Sequence, residues 1–303
     1  MFTDGRVCPV KSAAPSLSKP AWPGAEHIFA LNVSRRPEMP KPLITLLTDF
    51  GTADGYVGAV KGVIRDMAPN VEIMDISHDI PPFDIAAGAL SLNTFYNYFP
   101  RGTVHLAVVD PGVGSTRNAL IIRTARYYFV GPDNGLFHWI LKNEAHTLFA
   151  VDTDRFLKET THHTFHARDL FGPVAALLAL GKAPENLGRP LPERTEHARS
   201  LFTRIKDGVY RVPVYHIDRF GNIIFAFQKE DLARLQSKHI RRVSFKGRHW
   251  KALARYYDQQ EPGAPLVLWN SSDFLEIALN RGDAARFFDV RLRKDYLDLE
   301  LET

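Results

Sequence analysis

The chain has 303 residues, 45% of them hydrophobic and 24% charged, enough to bury one or two sizeable cores and too apolar for a wholly disordered protein. Its net charge of +4 comes from Lys and Arg interspersed with acids rather than gathered into a stripe, which argues against a nucleic-acid partner. No run reaches the roughly 20 apolar residues that cross a bilayer, and the single Cys8 rules out an internal disulfide, so a soluble chain in a reduced, cytoplasmic setting with no membrane partner is expected.

Residues 1–42 carry scattered Pro, Ser, Lys and Arg without a signal-peptide-like block and are expected to form a flexible leader, with a turn of helix or a strand at most around 25–33. Regular patterning starts at Leu43, where an apolar run to Thr48 reads as a buried strand ending at Asp49. The helical spacing of 54–67 stops at Pro69-Asn70, and 71–76 is a second strand. A helix over 84–98 follows, then a strand over 103–109 that delivers Asp110 into a loop. Strands are expected at 119–124 and 126–130, and helices at 134–143 and at 169–180, the last capped by Asp169 and stopped by Gly181.

Alternating strands and helices imply an α/β domain over 43–190 with a central, mostly parallel sheet covered on both faces and ligand sites at the carboxyl edges of its strands. A Pro- and Arg-containing stretch then leads through a linker placed at 191–207. Beyond it the rhythm changes to short strands and turns, as at 209–217, 222–227 and 266–269, which points to a smaller antiparallel β-barrel or sandwich domain over 208–303.

The chemistry concentrates in two polar segments. Val109-Asp110-Pro111-Gly112-Val113-Gly114-Ser115-Thr116-Arg117 follows a strand, and Thr164-Phe165-His166-Ala167-Arg168-Asp169 opens a helix. Asp110, Arg117 and His166 offer a carboxylate, a permanent cation and an imidazole that titrates near neutrality, a set suited to orienting water and handling its proton. Gly112 and Gly114 lack the third glycine and the Lys-Ser/Thr ending of a phosphate loop, so a tight turn is the plainer reading. His162, His163, His166 and Asp169 have the donor chemistry of a metal site, but the adjacent Arg168 opposes a cation, and no metal is assigned. Asp49 suits either turn amides or a ribose diol. In Asp218-Arg219-Phe220-Gly221-Asn222, the Asn222 amide suits either a β-turn or a purine edge.

These segments, with Thr48-Asp49-Phe50-Gly51, Pro82-Phe83-Asp84, Phe99-Pro100-Arg101-Gly102-Thr103-Val104, Gly131-Pro132-Asp133-Asn134-Gly135 and Ile217-Asp218-Arg219-Phe220-Gly221-Asn222, resemble the S-adenosylmethionine hydrolase (hydroxide adenosyltransferase) family, which is related to the fluorinase and chlorinase. The resemblance runs from about 43 to 288. It implies an amino-terminal α/β domain and a carboxyl-terminal β-barrel, hydrolysis of S-adenosylmethionine to adenosine and methionine without a cofactor, and a homotrimer whose sites lie between subunits. It further implies a water-handling triad of Asp110, Arg117 and His166, ribose binding by Asp49, nucleoside packing by Phe83, and adenine contacts from Phe220, Asn222 and Tyr256. Asp218 and Ser271, with Asp54 nearby, are implied for the methionine end. Asp110 stands where the halogenases have a tyrosine and Ala167 where the fluorinase has a halide-binding serine, which favours water over halide. A halogenase, a non-catalytic S-adenosylmethionine sensor and a metal-dependent hydrolase using the His162 to Asp169 cluster are the alternatives. Ala167 departs from the family's usual glycine, and Ser272 stands where the fluorinase has an arginine.

Overall fold

The computed structural model describes residues 41–157, 163–192 and 201–302. Residues 1–40 of the expected leader, and His162, lie outside the described residues.

The first half is built from β1 (Leu43–Thr48), α1 (Tyr56–Met67), β2 (Glu72–Ser77), α2 (Ile85–Phe95), β3 (Val104–Val108), β4 (Ala119–Thr124), β5 (Tyr128–Pro132), α3 (His138–Asn143), β6 (His146–Val151), α4 (Gly172–Ala179) and β7 (Gly188–Leu191). Its seven strands form one sheet in the order β2-β1-β3-β5-β4-β6-β7. The pairs β1/β2, β1/β3 and β3/β5 are parallel, whereas β4/β5, β4/β6 and β6/β7 are antiparallel. The sheet is therefore mixed: the short turn between β4 and β5 makes a hairpin, and only the half containing β1 and β3 has the parallel crossovers.

Both faces are covered. Ile44 and Leu46 of β1 with Leu106 of β3 pack under Val60 and Ile64 of α1 and Val174 and Leu178 of α4, while the alternate residues Leu47 and Ala107 face Leu92 of α2 and Ile140 of α3. Every residue of β3 is buried, as a central strand sandwiched by helices requires. Gly131 is obligatory at the β5 edge of this packing, because a Cβ there would lie 2.1 Å from the Ala107 carbonyl oxygen.

The second half contains β8 (Thr203–Lys206), β9 (Val209–Ile217), β10 (Ile223–Gln228), α5 (Lys229–Arg234), β11 (Ile240–Phe245), β12 (Arg248–Trp250), β13 (Pro265–Trp269), β14 (Phe274–Leu279), α6 (Ala284–Phe287) and β15 (Tyr296–Leu301). The strands follow the order β12-β11-β15-β9-β10-β14-β13, with β8 added on β9, in an antiparallel, nearly closed barrel-like sheet. Thus 203–206, inside the segment read as a linker, is a strand of this sheet. Curling the sheet leaves fewer unpaired backbone groups at its edges.

Phe225, Phe274, Ile277, Leu297 and Leu299 fill the barrel interior, and the same apolar cluster takes in Ala89 and Leu90 of α2 and Trp139 of α3. Trp139 meets the Phe274 ring edge-on at 4.8 Å. Beside it, Lys142 pairs with the fully buried Asp231 at 2.9 Å, so the two halves share a continuous core and a buried charge pair. Arg293 also donates to Asp84, the N-cap of α2, tying the barrel to that helix start.

Candidate active site

The parallel register of β1 and β3 pairs Thr48 with Val108, so Asp49, the next residue, and Asp110, two residues beyond Val108, emerge at the same carboxyl edge of the sheet. There they line a cavity of about 380 Å³ with Phe50, Tyr56, Pro82, Phe83, Val113, Thr164, Phe165, His166 and Ala167. Asp49 Oδ2 accepts a 2.8 Å hydrogen bond from the Phe83 amide, which fixes the carboxylate at the cavity wall. Phe83 itself is 71% exposed and has a φ of 66°, an unusual conformation for an aromatic residue.

The loop after β3 is a tight turn, as expected: Val113 N donates to Asp110 O and Ser115 N to Gly112 O. Asn134 Nδ2 donates to Val109 O at 2.8 Å, so the Gly131 to Gly135 motif buttresses this loop. Across it, Arg117 Nε donates to Asp110 Oδ1 at 2.7 Å and Nη2 to Oδ2, a bidentate pair whose side chains are only 10% and 4% exposed. Arg117 Nη2 also lies 3.3 Å from His166 Nδ1, and its guanidinium sits over the Phe171 ring. The structure thus brings Asp110, Arg117 and His166 together.

His166 is 6% exposed, and burial, with the neighbouring Arg117 cation adding to it, holds its pKa below the ordinary imidazole value. Its Nε2 is buried without a protein partner among the described residues. The backbone departs here from the expected capped helix. Residues Ala167–Phe171 form a π-helical turn, because Pro173 has no N–H and the Gly172 amide reaches back five residues to Ala167 O. Among the described residues Asp169 consequently caps no helix; both its oxygens accept from Arg168.

The remaining expected residues lie at the barrel. Asp218, Phe220, Asn222 and Ser271 line a second cavity of about 850 Å³ together with Thr94 and Tyr98 from the first half and Tyr257, Asn270, Glu276 and Arg281 from the second. Asp218 organises its own loop: Oδ1 accepts from the Phe220 and Asn222 amides, and Oδ2 from Asn222 Nδ2 at 2.9 Å. This contact uses one N–H of the Asn222 side-chain amide and leaves its carbonyl oxygen and second N–H uncommitted by Asp218. Gly221 holds the turn with a φ of 81° against Asp283, where a Cβ would lie 2.3 Å from Oδ1.

The two cavities share no lining residue. Tyr256 and Asp54 are exposed and line neither; Tyr257, the next residue, lines the barrel cavity in place of Tyr256. Sequence reasoning also passed over Tyr56, Thr94, Tyr98 and Glu276. Glu276 alone carried a signal, a charge inside the apolar strand Phe274-Leu275-Glu276-Ile277-Ala278-Leu279. Among the described residues no group of three or more His, Cys, Asp or Glu side chains is placed to hold a metal ion, and no helix is long and apolar enough to cross a membrane.

Family models described as the SAM hydroxide adenosyltransferase N-terminal and C-terminal domains match residues 44–188 and 212–296. A protein of Methanocaldococcus jannaschii named (R)-S-adenosyl-L-methionine hydrolase is 35% identical over 271 residues, covering 84% of this chain and 94% of the relative. One of the same name from Thermus thermophilus is 36% identical over 251 residues, covering 80% and 93%. A fluorinase from an Actinoplanes species is more distant, at 23% identity over 282 residues, or 82% of this chain and 95% of the relative. The crystal structure of an uncharacterized conserved protein from Thermotoga maritima superposes with a TM-score of 0.71 at 32% identity, over 84% of this chain and 99% of that one. With both family models matched in order and such identity across most of its length, the chain belongs to the SAM hydroxide adenosyltransferase family.

Proposed function

We propose that this chain hydrolyses S-adenosyl-L-methionine to adenosine and L-methionine by in-line attack of water on C5′. The observation that carries this reading is the buried Asp110, Arg117 and His166 constellation at the wall of the β1/β3 cavity, in a chain about one-third identical to named hydrolases.

The oxygen of water forms a bond to C5′ as the C5′–S bond breaks, and the sulfur leaves with the electron pair as the neutral thioether of methionine. A sulfonium needs no acid to leave, so the barrier lies in aligning and desolvating water and removing its proton. Arginine only donates; the Arg117 contact therefore makes His166 Nδ1 the acceptor and places the imidazole proton on Nε2. In this tautomer His166, which lines the cavity, helps to orient the water beside Asp110. Asp110, whose oxygens each keep a lone pair beyond the Arg117 bonds, is left to accept the water's proton and pass it to solvent. Arg117 stabilises the hydroxide-like charge that develops on the oxygen. Ala167 offers no hydroxyl to a halide, and Asp110 repels one.

For binding, Asp49 takes the ribose hydroxyls and Phe83 packs on the nucleoside, with Asp54 near the rim. Phe220 and the Asn222 side-chain amide take adenine, with Tyr256 flanking, while Asp218 and Ser271 take the methionine end. These groups divide between two cavities that share no lining residue, and Phe83 and Phe220 are 71% and 77% exposed. That division supports a homotrimer in which one subunit's first half faces a neighbour's barrel. No cofactor is required, and a cytoplasmic location suits the substrate.

The test is chromatography of the protein incubated with S-adenosyl-L-methionine with and without chloride. Adenosine and methionine in equal amounts, indifferent to chloride, are expected. A chlorinated nucleoside would place the chain with the halogenases, and binding without product would make it a sensor.

A further inference from the structure

The barrel cavity contains an anion that the mechanism does not use. Glu276 pairs with Ile224 of β10 on one side and Leu268 of β13 on the other, so it sits in the middle of the sheet. Its neighbours Leu275 and Ile277 belong to the barrel's apolar cluster, whereas Glu276, between them in the strand, lines the cavity. The residue is only 2% exposed. Tyr257 Oη donates to Oε1 at 2.9 Å and Asn270 Nδ2 to Oε2 at 3.1 Å, both neutral donors.

Among the described residues no lysine, arginine or histidine ion-pairs with Glu276. Arg281, the cation on the same cavity lining, is 72% exposed at its side chain and lies 3.4 Å from Asp258. Burial therefore raises the Glu276 pKa despite the Asn270 and Tyr257 hydrogen bonds, and the nearby Asp218 carboxylate pushes it further up. A carboxylate withdrawn from water is stable when a cation meets it, and here the cavity is the open side. The remaining lone pairs on its oxygens call for N–H donors, which an ammonium has and a sulfonium lacks.

We propose that Glu276 is a specificity-determining binding residue that receives the α-ammonium of the methionine moiety, with Asp218 and Ser271 at the same cavity. This rests on S-adenosyl-L-methionine being the substrate. Asp218 Oδ2 has already accepted from Asn222, so it offers the ammonium one further bond; Glu276 supplies the rest of the negative charge. Tyr257 and Asn270 act through it, holding the carboxylate toward the cavity.

The experiment compares wild type and Glu276→Gln on S-adenosyl-L-methionine and on the sulfonium analogue that lacks the α-amino group. With the natural substrate, Glu276→Gln is expected to raise KM about tenfold or more while kcat stays within about threefold, and with the analogue the two proteins should have the same KM. An unchanged KM for the natural substrate, or an equal rise for both compounds, overturns the proposal. Should Glu276→Gln not fold, Glu276→Asp retracts the carboxylate by one methylene and must show the same selective rise. If the wild type makes no adenosine, the functional reading fails separately; calorimetric binding of S-adenosyl-L-methionine then decides, with loss of about tenfold in Glu276→Gln supporting the role and equal affinity refuting it.

Discussion

Arg117 gives Asp110 two parallel hydrogen bonds in a setting nearly closed to water, and the same Nη2 that completes the fork also touches His166 Nδ1. One guanidinium thereby fixes both the carboxylate and the tautomer of the imidazole.

Asp110→Asn and His166→Ala should each lower kcat about 10²-fold or more with a smaller change in KM, the usual scale for general acid–base groups. Asp110→Asn also leaves Arg117 buried without its counter-ion, so a stability loss of about 3–5 kcal/mol is expected in urea unfolding. His166→Ala removes no charge and should be milder. Unchanged turnover in both variants would remove the triad from the mechanism.

The Lys142–Asp231 pair, 3% and 0% exposed at its side chains, should behave as a buried charge pair joining the two halves. Burial lowers the Lys142 pKa, with the Asp231 charge opposing that shift. Lys142→Met is expected to destabilise the fold by about 3 kcal/mol. The double variant Lys142→Met, Asp231→Leu should recover part of this loss, but not all, because Asp231 also accepts from the Gln228 amide and Arg234. A double variant less stable than the sum of the singles would contradict this account.

Gly221→Ala forces a side chain into a position with a φ of 81° and onto Asp283, the N-cap of α6. The loop carrying Phe220 and Asn222 must shift. A rise in KM well beyond any fall in kcat is expected, read from steady-state kinetics; a fall confined to kcat would argue that this loop does not hold substrate.

His105 supplies a pH prediction. It is fully buried, stacked on Phe129 and bonded through Nδ1 to Thr45, and burial lowers its pKa to about 3. Unfolded, it would titrate near 6.5, so between about 6.5 and 3 the unfolded chain binds the extra proton and stability falls as pH falls. From pH 7 to 5 the loss from this residue is about 2 kcal/mol. Denaturation midpoints of wild type and His105→Phe at the two pH values check it: the variant should show a shallower acid decline, and equal slopes would refute the assignment.

Activity should survive dialysis against a chelator, since the proposed chemistry uses only side chains and water. Loss of turnover restored by a divalent metal would require a different mechanism.

Much of this was legible in the sequence for identifiable reasons. Strand β3 and the ends of β1 announce themselves as short apolar runs closed by Asp110 and Asp49, and parallel register then brings the two acids to one edge. The triad was legible through its motifs, but not its hydrogen bonds, since Arg117 and His166 come from segments far apart in the chain. The π-helical turn escaped notice because Asp169 has the chemistry of a cap while Pro173 quietly dictates the bonding. Strand β14 was obscured by Glu276, a charge that tertiary context buries, and β15 was passed over although Leu297, Leu299 and Leu301 alternate inward. Tyr256 and Tyr257 are adjacent aromatics, and nothing in their order tells which one turns to the cavity.

Phe83 pairs a left-handed backbone with a ring that is 71% exposed, a combination that glycine would replace with less strain and little loss of buried contact. The fold thus carries a local penalty at an amide that steadies Asp49. Phe83→Gly should consequently give a protein that resists heat as well as or better than the parent and works less well, the trade between robustness and catalysis concentrated at a single residue.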